Sequence, residues 1–261
     1  MLIGNLKYLN DKTNKASKDK TNKASKDKDK TKDKNKDKTK TKDKASKDKD
    51  KNHKLSKDFS ARVVYENPYI VKINNLLDDD EISELLLMAR YKFEPSNLIV
   101  DGKLVYNTDQ RRSSTAYIFK DGLPDRYSKP VEKFIKKILY LTGAKRNQLE
   151  IMAVKYKKGE YFDKHVDYLN SDEIGEIDNA GNRIATFFIY LNTLQKTDGG
   201  ETEFTKIGLK SRPKKGDALF WYNQNIETGK MIPETQHRGL PVLNDNVIKF
   251  GLNVWIRSHS F

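Results

Sequence analysis

The sequence predicts an α+β protein with a double-sheet barrel or jelly roll in its C-terminal part. Three observations carry this: two stretches of helical period precede Gly143, five β-rich runs follow it, and turn residues separate those runs. Helices first and many short strands afterwards is the order of an α+β chain, not of an alternating parallel-sheet fold.

Order is expected to begin near Ala61 as a strand or extended entry, since Val63, Val64, Tyr65, Tyr69, Ile70, Val71 and Ile73 place β-branched and aromatic residues around Pro68. Next, Asp78-Asp79-Asp80-Glu81 precedes Ile82, Leu85, Leu86, Leu87 and Met88. Acidic residues at a helix N-terminus with an apolar stripe behind them predict the first helix. A second helix is expected over 129–141, with Pro130 in its first turn and Val131, Phe134, Ile135, Ile138 and Leu139 at helical spacing. Strands are expected at 149–156, 184–191, 202–204, 218–222 and 247–256. The turns between them are marked by Lys158-Gly159, Asn179-Ala180-Gly181-Asn182, Asp198-Gly199-Gly200, Lys215-Gly216-Asp217 and Asn244-Asp245-Asn246.

The charge is unevenly spread. The 261 residues carry a formal +14, and residues 11–58, with 20 Lys against 10 Asp, account for +10 of it. In that segment DKTNKASK occurs twice in succession before decaying into Lys-Asp and Lys-Thr pairs, and Ala16, Ala24, Ala45 and Leu55 are its only apolar residues. No apolar face offsets an ordering cost of about 1–2 kcal/mol per residue, so residues 1–58 are expected to form a disordered low-complexity tail and residues 59–261 a single domain. Such a tail is either a solvated arm or a contact for polyanions, and its Asp residues dilute any phosphate affinity. Nucleic acid is therefore a partner only through the tail, if at all.

The chain has no cysteine, which excludes disulfides and thiolate-bound metal. It shows no apolar signal segment and no run near the roughly 18 apolar residues of a membrane span. The expectation is a cytoplasmic protein without a membrane partner; nothing in the sequence fixes an oligomeric state.

His165-Val166-Asp167 follows the first of the C-terminal strands. In an extended segment residues i and i+2 face one side, so an imidazole and a carboxylate can meet on one cation. His237 lies 72 residues downstream, and as His53 is in the tail and His259 at the C-terminus, the β region offers only these two histidines. Two His and a carboxylate suit non-haem Fe(II), since they take one face of the octahedron and leave the other open. His-x-Asp alone also fits a surface pair of polar strand residues. Lys249, in the last strand between Ile248 and Phe250, needs an anion if buried, and as an exposed strand lysine needs nothing.

A wider set of ordered blocks resembles the prolyl 4-hydroxylase family of Fe(II)/2-oxoglutarate dioxygenases, in its compact microbial or viral form. They are Asn74-Asn75-Leu76-Leu77-Asp78-Asp79-Asp80-Glu81, Arg111-Arg112-Ser113-Ser114-Thr115-Ala116-Tyr117, Tyr156 through Asp167, and Arg183-Ile184-Ala185-Thr186. The pattern continues in Gly199-Gly200-Glu201-Thr202-Glu203-Phe204, 213–222 and 237–255. The resemblance spans roughly 67–258 and implies a double-stranded β-helix (jelly-roll) core with supporting helices on its N-terminal side. It implies Fe(II) on His165, Asp167 and His237, with Lys249 pairing with the distal carboxylate of 2-oxoglutarate. Hydroxyls of Tyr156 and Thr202, and of Tyr190 at one further position, would bond the cosubstrate, although Tyr and Thr are also ordinary strand residues.

Arg111, Ser113, Arg183 and Trp255 fall where related enzymes hold an extended Pro-containing peptide; Arg183 could instead pair with an acid, and Trp255 could be core. One position departs from the pattern: many relatives have Tyr three residues before the first ligand, and here Phe162 stands, beside Tyr161. The activity implied is 4-hydroxylation of proline in Pro-rich or collagen-like polypeptides, using O2 and converting 2-oxoglutarate to succinate and CO2, with ascorbate restoring oxidised iron. The alternatives are the same chemistry on lysyl or other side chains or on nucleic acid, and a non-catalytic peptide- or polyanion-binding module.

Overall fold

The computed structural model describes residues 59–100, 103–106, 109–120, 127–170 and 174–261; the Lys/Asp-rich tail lies outside them. Two antiparallel sheets face each other. Numbered along the chain, the strands of the larger sheet are β1 (Ser60–Tyr65), β2 (Ile70–Asn74), β3 (Glu94–Pro95), β7 (Ser114–Phe119), β8 (Leu149–Tyr156), β10 (Arg183–Tyr190), β13 (Ala218–Tyr222) and β15 (Lys249–Arg257), in the spatial order β1-β2-β13-β10-β15-β8-β7-β3. The smaller sheet runs β12-β11-β14-β9-β6, built from β6 (Arg111–Arg112), β9 (Tyr161–His165), β11 (Thr202–Phe204), β12 (Leu209–Ser211) and β14 (His237–Gly239). Strands β4 (Leu98–Val100) and β5 (Lys103–Val105) pair with each other.

The central strands of the larger sheet read as nearly unbroken apolar runs because both of their faces are covered. Ile151, Ala153, Phe187, Ile189, Phe220, Leu252, Val254 and Ile256 pack on one side with the helices. Val154, Tyr156, Phe188, Tyr190, Leu219 and Trp221 point to the other side, where with Phe204 they fill the space between the sheets. Period-two alternation thus sorts each strand into a supporting face and a face that meets the second sheet.

Among the described residues the α-helices are α1 (Asp79–Ala89), α2 (Lys129–Thr142) and the short α3 (Ile174–Ala180). Asp78 caps α1 through its carboxylate, which accepts from the Glu81 amide (2.9 Å), while Glu81 accepts from the Asp78 amide (2.8 Å). Helix α2 starts with Pro130 and ends at Gly143, whose φ of 70° lets its N–H donate back to Leu139. It buries Val131, Phe134, Ile135, Ile138 and Leu141 under the larger sheet, each contributing roughly 1.5–3 kcal/mol before ordering costs. Among the described residues no helix is long and apolar enough to cross a membrane.

The strand or extended entry expected around 63–73 is present as a hairpin that extends the larger sheet through β2–β13 pairing, so strands precede the helices as well as follow them. One expectation needs correction. Strand β9 ends at His165, and Asp167 lies in the bend beyond it, so the two side chains meet through a turn and not through strand alternation. Strands β7, β9, β12 and β14 were not among those expected; the last three are only three to five residues long, too short to show a period.

Candidate active site

Antiparallel pairing of β14 with β9 sets His237 directly across from His165. A separation of 72 residues in sequence becomes a ring-to-ring distance of 4.2 Å. Asp167 turns in beside them, its Oδ1 3.8 Å from His165 Nε2 and its Oδ2 4.0 Å from His237 Nε2. One ligand atom from each residue lies within 4.8 Å of the others, and this is the only such cluster among the described residues.

Neighbouring groups fix the orientation of each candidate ligand. Nδ1 of His165 lies 2.7 Å from the Asp163 carbonyl and Nδ1 of His237 lies 3.0 Å from the Thr235 carbonyl. A carbonyl can only accept, so both Nδ1 atoms carry the proton and both Nε2 lone pairs point inward. Asp167 Oδ2 accepts from the Thr186 hydroxyl (2.7 Å), which itself accepts from Asn223 Nδ2 (2.9 Å). Burial, with His237 adjacent, pushes the His165 imidazole down to about 3. Burial alone would raise the Asp167 carboxyl, but the two histidines and the Thr186 bond hold it below its ordinary value. Two neutral imidazoles and one carboxylate, aimed at one point and open on the cavity side, fit an iron(II) ion.

The same cavity, about 350 Å³ in volume, reaches Lys249, Tyr156 and Thr202. Lys249 is 1% exposed, and burial, only partly offset by Glu201, lowers its ammonium to about 7. Its Nζ lies 5.0 Å from the Tyr156 ring and 5.3 Å from that of Phe188, and it makes no hydrogen bond or ion pair among the described residues. The Thr202 hydroxyl is likewise buried without a partner. Burial raises the Tyr156 phenol to about 12, so it remains a donor. Three donors converging without an acceptor fit the carboxylate of a small diacid.

At the mouth, Glu150 holds Arg183 in a two-point bond (2.6 and 3.0 Å) and also takes a bond from Arg257 at 2.9 Å. Arg183 then lies over the Trp255 indole at 3.7 Å. Arg111 extends over the Phe162 ring at 4.3 Å, and that ring stacks on His165 at 3.5 Å.

Two residues expected at the cosubstrate or peptide do not line the cavity. The Tyr190 hydroxyl donates to the Ser211 carbonyl (3.3 Å) and adjoins Thr202 without bonding to it. Ser113 is buried, bonds Ser96 at 2.7 Å and accepts from Arg111 Nε at 3.1 Å, so it orients Arg111 from behind. Thr186, Asn223 and Glu150 were not foreseen as site residues. Glu150 did leave a trace, a lone carboxylate in the apolar run LEIMAVKY, where burial demands a charged partner.

The profile of the 2OG-Fe(II) oxygenase superfamily matches residues 151–257, the stretch that carries the His165-Asp167-His237 cluster and Lys249. Prolyl 4-hydroxylase subunit alpha-1 of Caenorhabditis elegans is 33% identical over 195 residues, covering 73% of this chain and 33% of that protein. A putative prolyl 4-hydroxylase of Acanthamoeba polyphaga mimivirus is 28% identical over 215 residues, covering 79% of this chain and 82% of the viral one. The crystal structure of the viral collagen prolyl hydroxylase vCPH of Paramecium Bursaria Chlorella virus-1, in its 2OG complex, aligns with a TM-score of 0.55 at 28% identity. It covers 74% of this chain and 98% of that one. The chain belongs to the prolyl 4-hydroxylase family, although it spans only about a third of the length of the animal alpha subunits it matches.

Proposed function

We propose that residues 59–261 form a catalytic domain that 4-hydroxylates proline in Pro-rich or collagen-like polypeptides, with oxidative decarboxylation of 2-oxoglutarate to succinate and CO2. The observation that carries the reading is the presence, in one cavity, of the His165-Asp167-His237 cluster and a buried ammonium with no bonded anion among the described residues. The names of the viral relatives support the substrate class.

In this reading His165, Asp167 and His237 hold Fe(II). Bound there with 2-oxoglutarate and O2, the metal supplies the oxidising power that inserts one oxygen atom into a C–H bond. The chain's own work is positioning. The Asp163 and Thr235 carbonyls keep both Nε2 atoms aimed at the cation, and Thr186 keeps Asp167 turned toward it. Lys249 retains its proton to neutralise the distal carboxylate, while Tyr156 and Thr202 donate to its oxygens. The ordered Arg183–Trp255 stack offers a flat face to a pyrrolidine ring, and Arg111 a donor to peptide carbonyls. Ascorbate is the expected reductant for metal oxidised without substrate.

Mass spectrometry tests the proposal. Pro-rich, collagen-like and Lys-containing peptides are incubated with the protein, Fe(II), 2-oxoglutarate and ascorbate, and the expected product gains one oxygen atom on proline. Oxygen located on lysine would move the substrate class. Absence of succinate with every peptide would leave a binding module in place of an enzyme.

A further inference from the structure

Phe162 and His165 lie three residues apart on β9, and in a regular strand that spacing sends two side chains to opposite faces. Strand β9 is bulged between them. His237 faces His165 and Gly239 faces Phe162, so two steps along β14 span three along β9. The extra residue turns both rings to one side, and the Asp163 N–H donates to the Gln110 carbonyl at 2.8 Å instead of to β14. The Phe162 and His165 rings lie 3.5 Å apart and 12° from parallel.

The two histidines differ in how they are held. His237, with its side chain 9% exposed, is walled in by Trp221 at 4.9 Å and Phe204 at 5.7 Å, both part of the core between the sheets. The His165 side chain is 20% exposed, and apart from His237 the only ring against it among the described residues is Phe162. Its bond from Nδ1 to the Asp163 carbonyl fixes one point and leaves the imidazole free to swing about that bond. A ring stacked on its face removes this freedom. Arg111, over the same Phe162 ring at 4.3 Å and tied by Nε to Ser113, holds Phe162 in turn.

We propose that Phe162 is a positioning residue for the metal centre: brought over His165 by the β9 bulge, its ring sets the plane of that imidazole and keeps Nε2 aimed at the cation. The inference rests on the reading of His165, Asp167 and His237 as metal ligands. It gives a role to the position at which this chain departs from the tyrosine of many relatives, and it assigns that role to the aromatic face and not to a hydroxyl.

Titration of the full chain with Co(II), followed by visible absorption, tests this without turnover. For Phe162→Leu the expected result is an affinity about tenfold weaker, the lower end of what losing a side chain that orients a ligating histidine costs, together with a displaced Co(II) absorption band. Phe162→Tyr keeps the ring and should bind within about twofold of the parent with the parent's band. A ring that only packs would lower the melting temperature of metal-free Phe162→Leu and leave Co(II) affinity and band unchanged, and that result would overturn the assignment. Equal weakening in Phe162→Tyr would overturn it as well. Phe162→Met carries the same expectation as Phe162→Leu, and failure of both chains to fold would refute the proposal, because the ring would then belong to the core. Absence of Co(II) binding by the parent protein would instead overturn the ligand reading on which the proposal rests.

Discussion

Lys137 and Lys249 are each 1% exposed, yet their ammonium groups meet different surroundings. Lys137, on α2, donates to Glu81 of α1 at 2.7 Å and to the Leu76 carbonyl at 2.8 Å. Its charge is answered inside the chain, and the pair ties the two helices together. Lys249, on β15, has aromatic rings near it and no anion in bonding contact, only the more distant charge of Glu201. Taking an ammonium out of water without a partner costs free energy, so a folded protein that keeps one is arranged around something it binds. A buried lysine reads as structural or functional according to whether its counter-ion is covalently part of the fold.

The sharpest way to break this comparison is to replace each lysine by methionine. Lys249→Met should weaken 2-oxoglutarate binding by roughly 30-fold or more, the equivalent of losing one partner of a buried charge pair at about 2–5 kcal/mol, with the fold retained. Lys137→Met should leave that affinity unchanged and cost about 3–5 kcal/mol of stability by stranding the Glu81 carboxylate. Calorimetry and denaturant unfolding of both variants decide, and exchanged phenotypes would refute the distinction.

A smaller effect lies in the pH dependence of stability. The ammonium of Lys249 titrates near 7 in the fold, against about 10.4 for a free lysine. Between those values the unfolded chain holds more protons than the native one, so the stability of the ligand-free protein should rise with pH across that window. Below pH 7 the full burden of the buried charge is present. Lys249→Met should be more stable than the parent at pH 6, and the difference should shrink by pH 9. Melting curves at the two pH values check this, and an identical pH response in both proteins would contradict it. The smallest effect belongs to the tail. Removing residues 1–58 should leave peptide hydroxylation within about twofold and lower only salt-sensitive binding to polyanions.

Much of the fold was legible locally. Helix α2 is expected at 129–141 and found at Lys129–Thr142, because Pro130, the apolar period and Gly143 are signals between near neighbours. The 149–156 and 218–222 strands coincide with β8 and β13 for the same reason, and the short 202–204 run, placed by its Gly199-Gly200 turn, coincides with β11. The candidate site was legible as residue types: two His, one Asp and one Lys in an order that resembles a family. Its wiring was not. Nothing near Thr186 in sequence says that it bonds Asp167, nothing in the sequence says that Ser113 stands behind Arg111, and Tyr190 looks suited to the cosubstrate until its hydroxyl is followed to the Ser211 carbonyl.

Composition and local pattern alone settled helices α1 and α2, the longer strands and which side chains have the chemistry to hold a cation and an anion, since propensity, capping and ligand type are properties of a residue and its nearest neighbours. Tertiary packing decided the rest. It chose the register that sets His237 against His165, and left Lys249 without a bonded counter-ion while giving Lys137 one. Burial and pairing are relations between segments far apart in the chain, and they exist only once the two sheets have closed on each other.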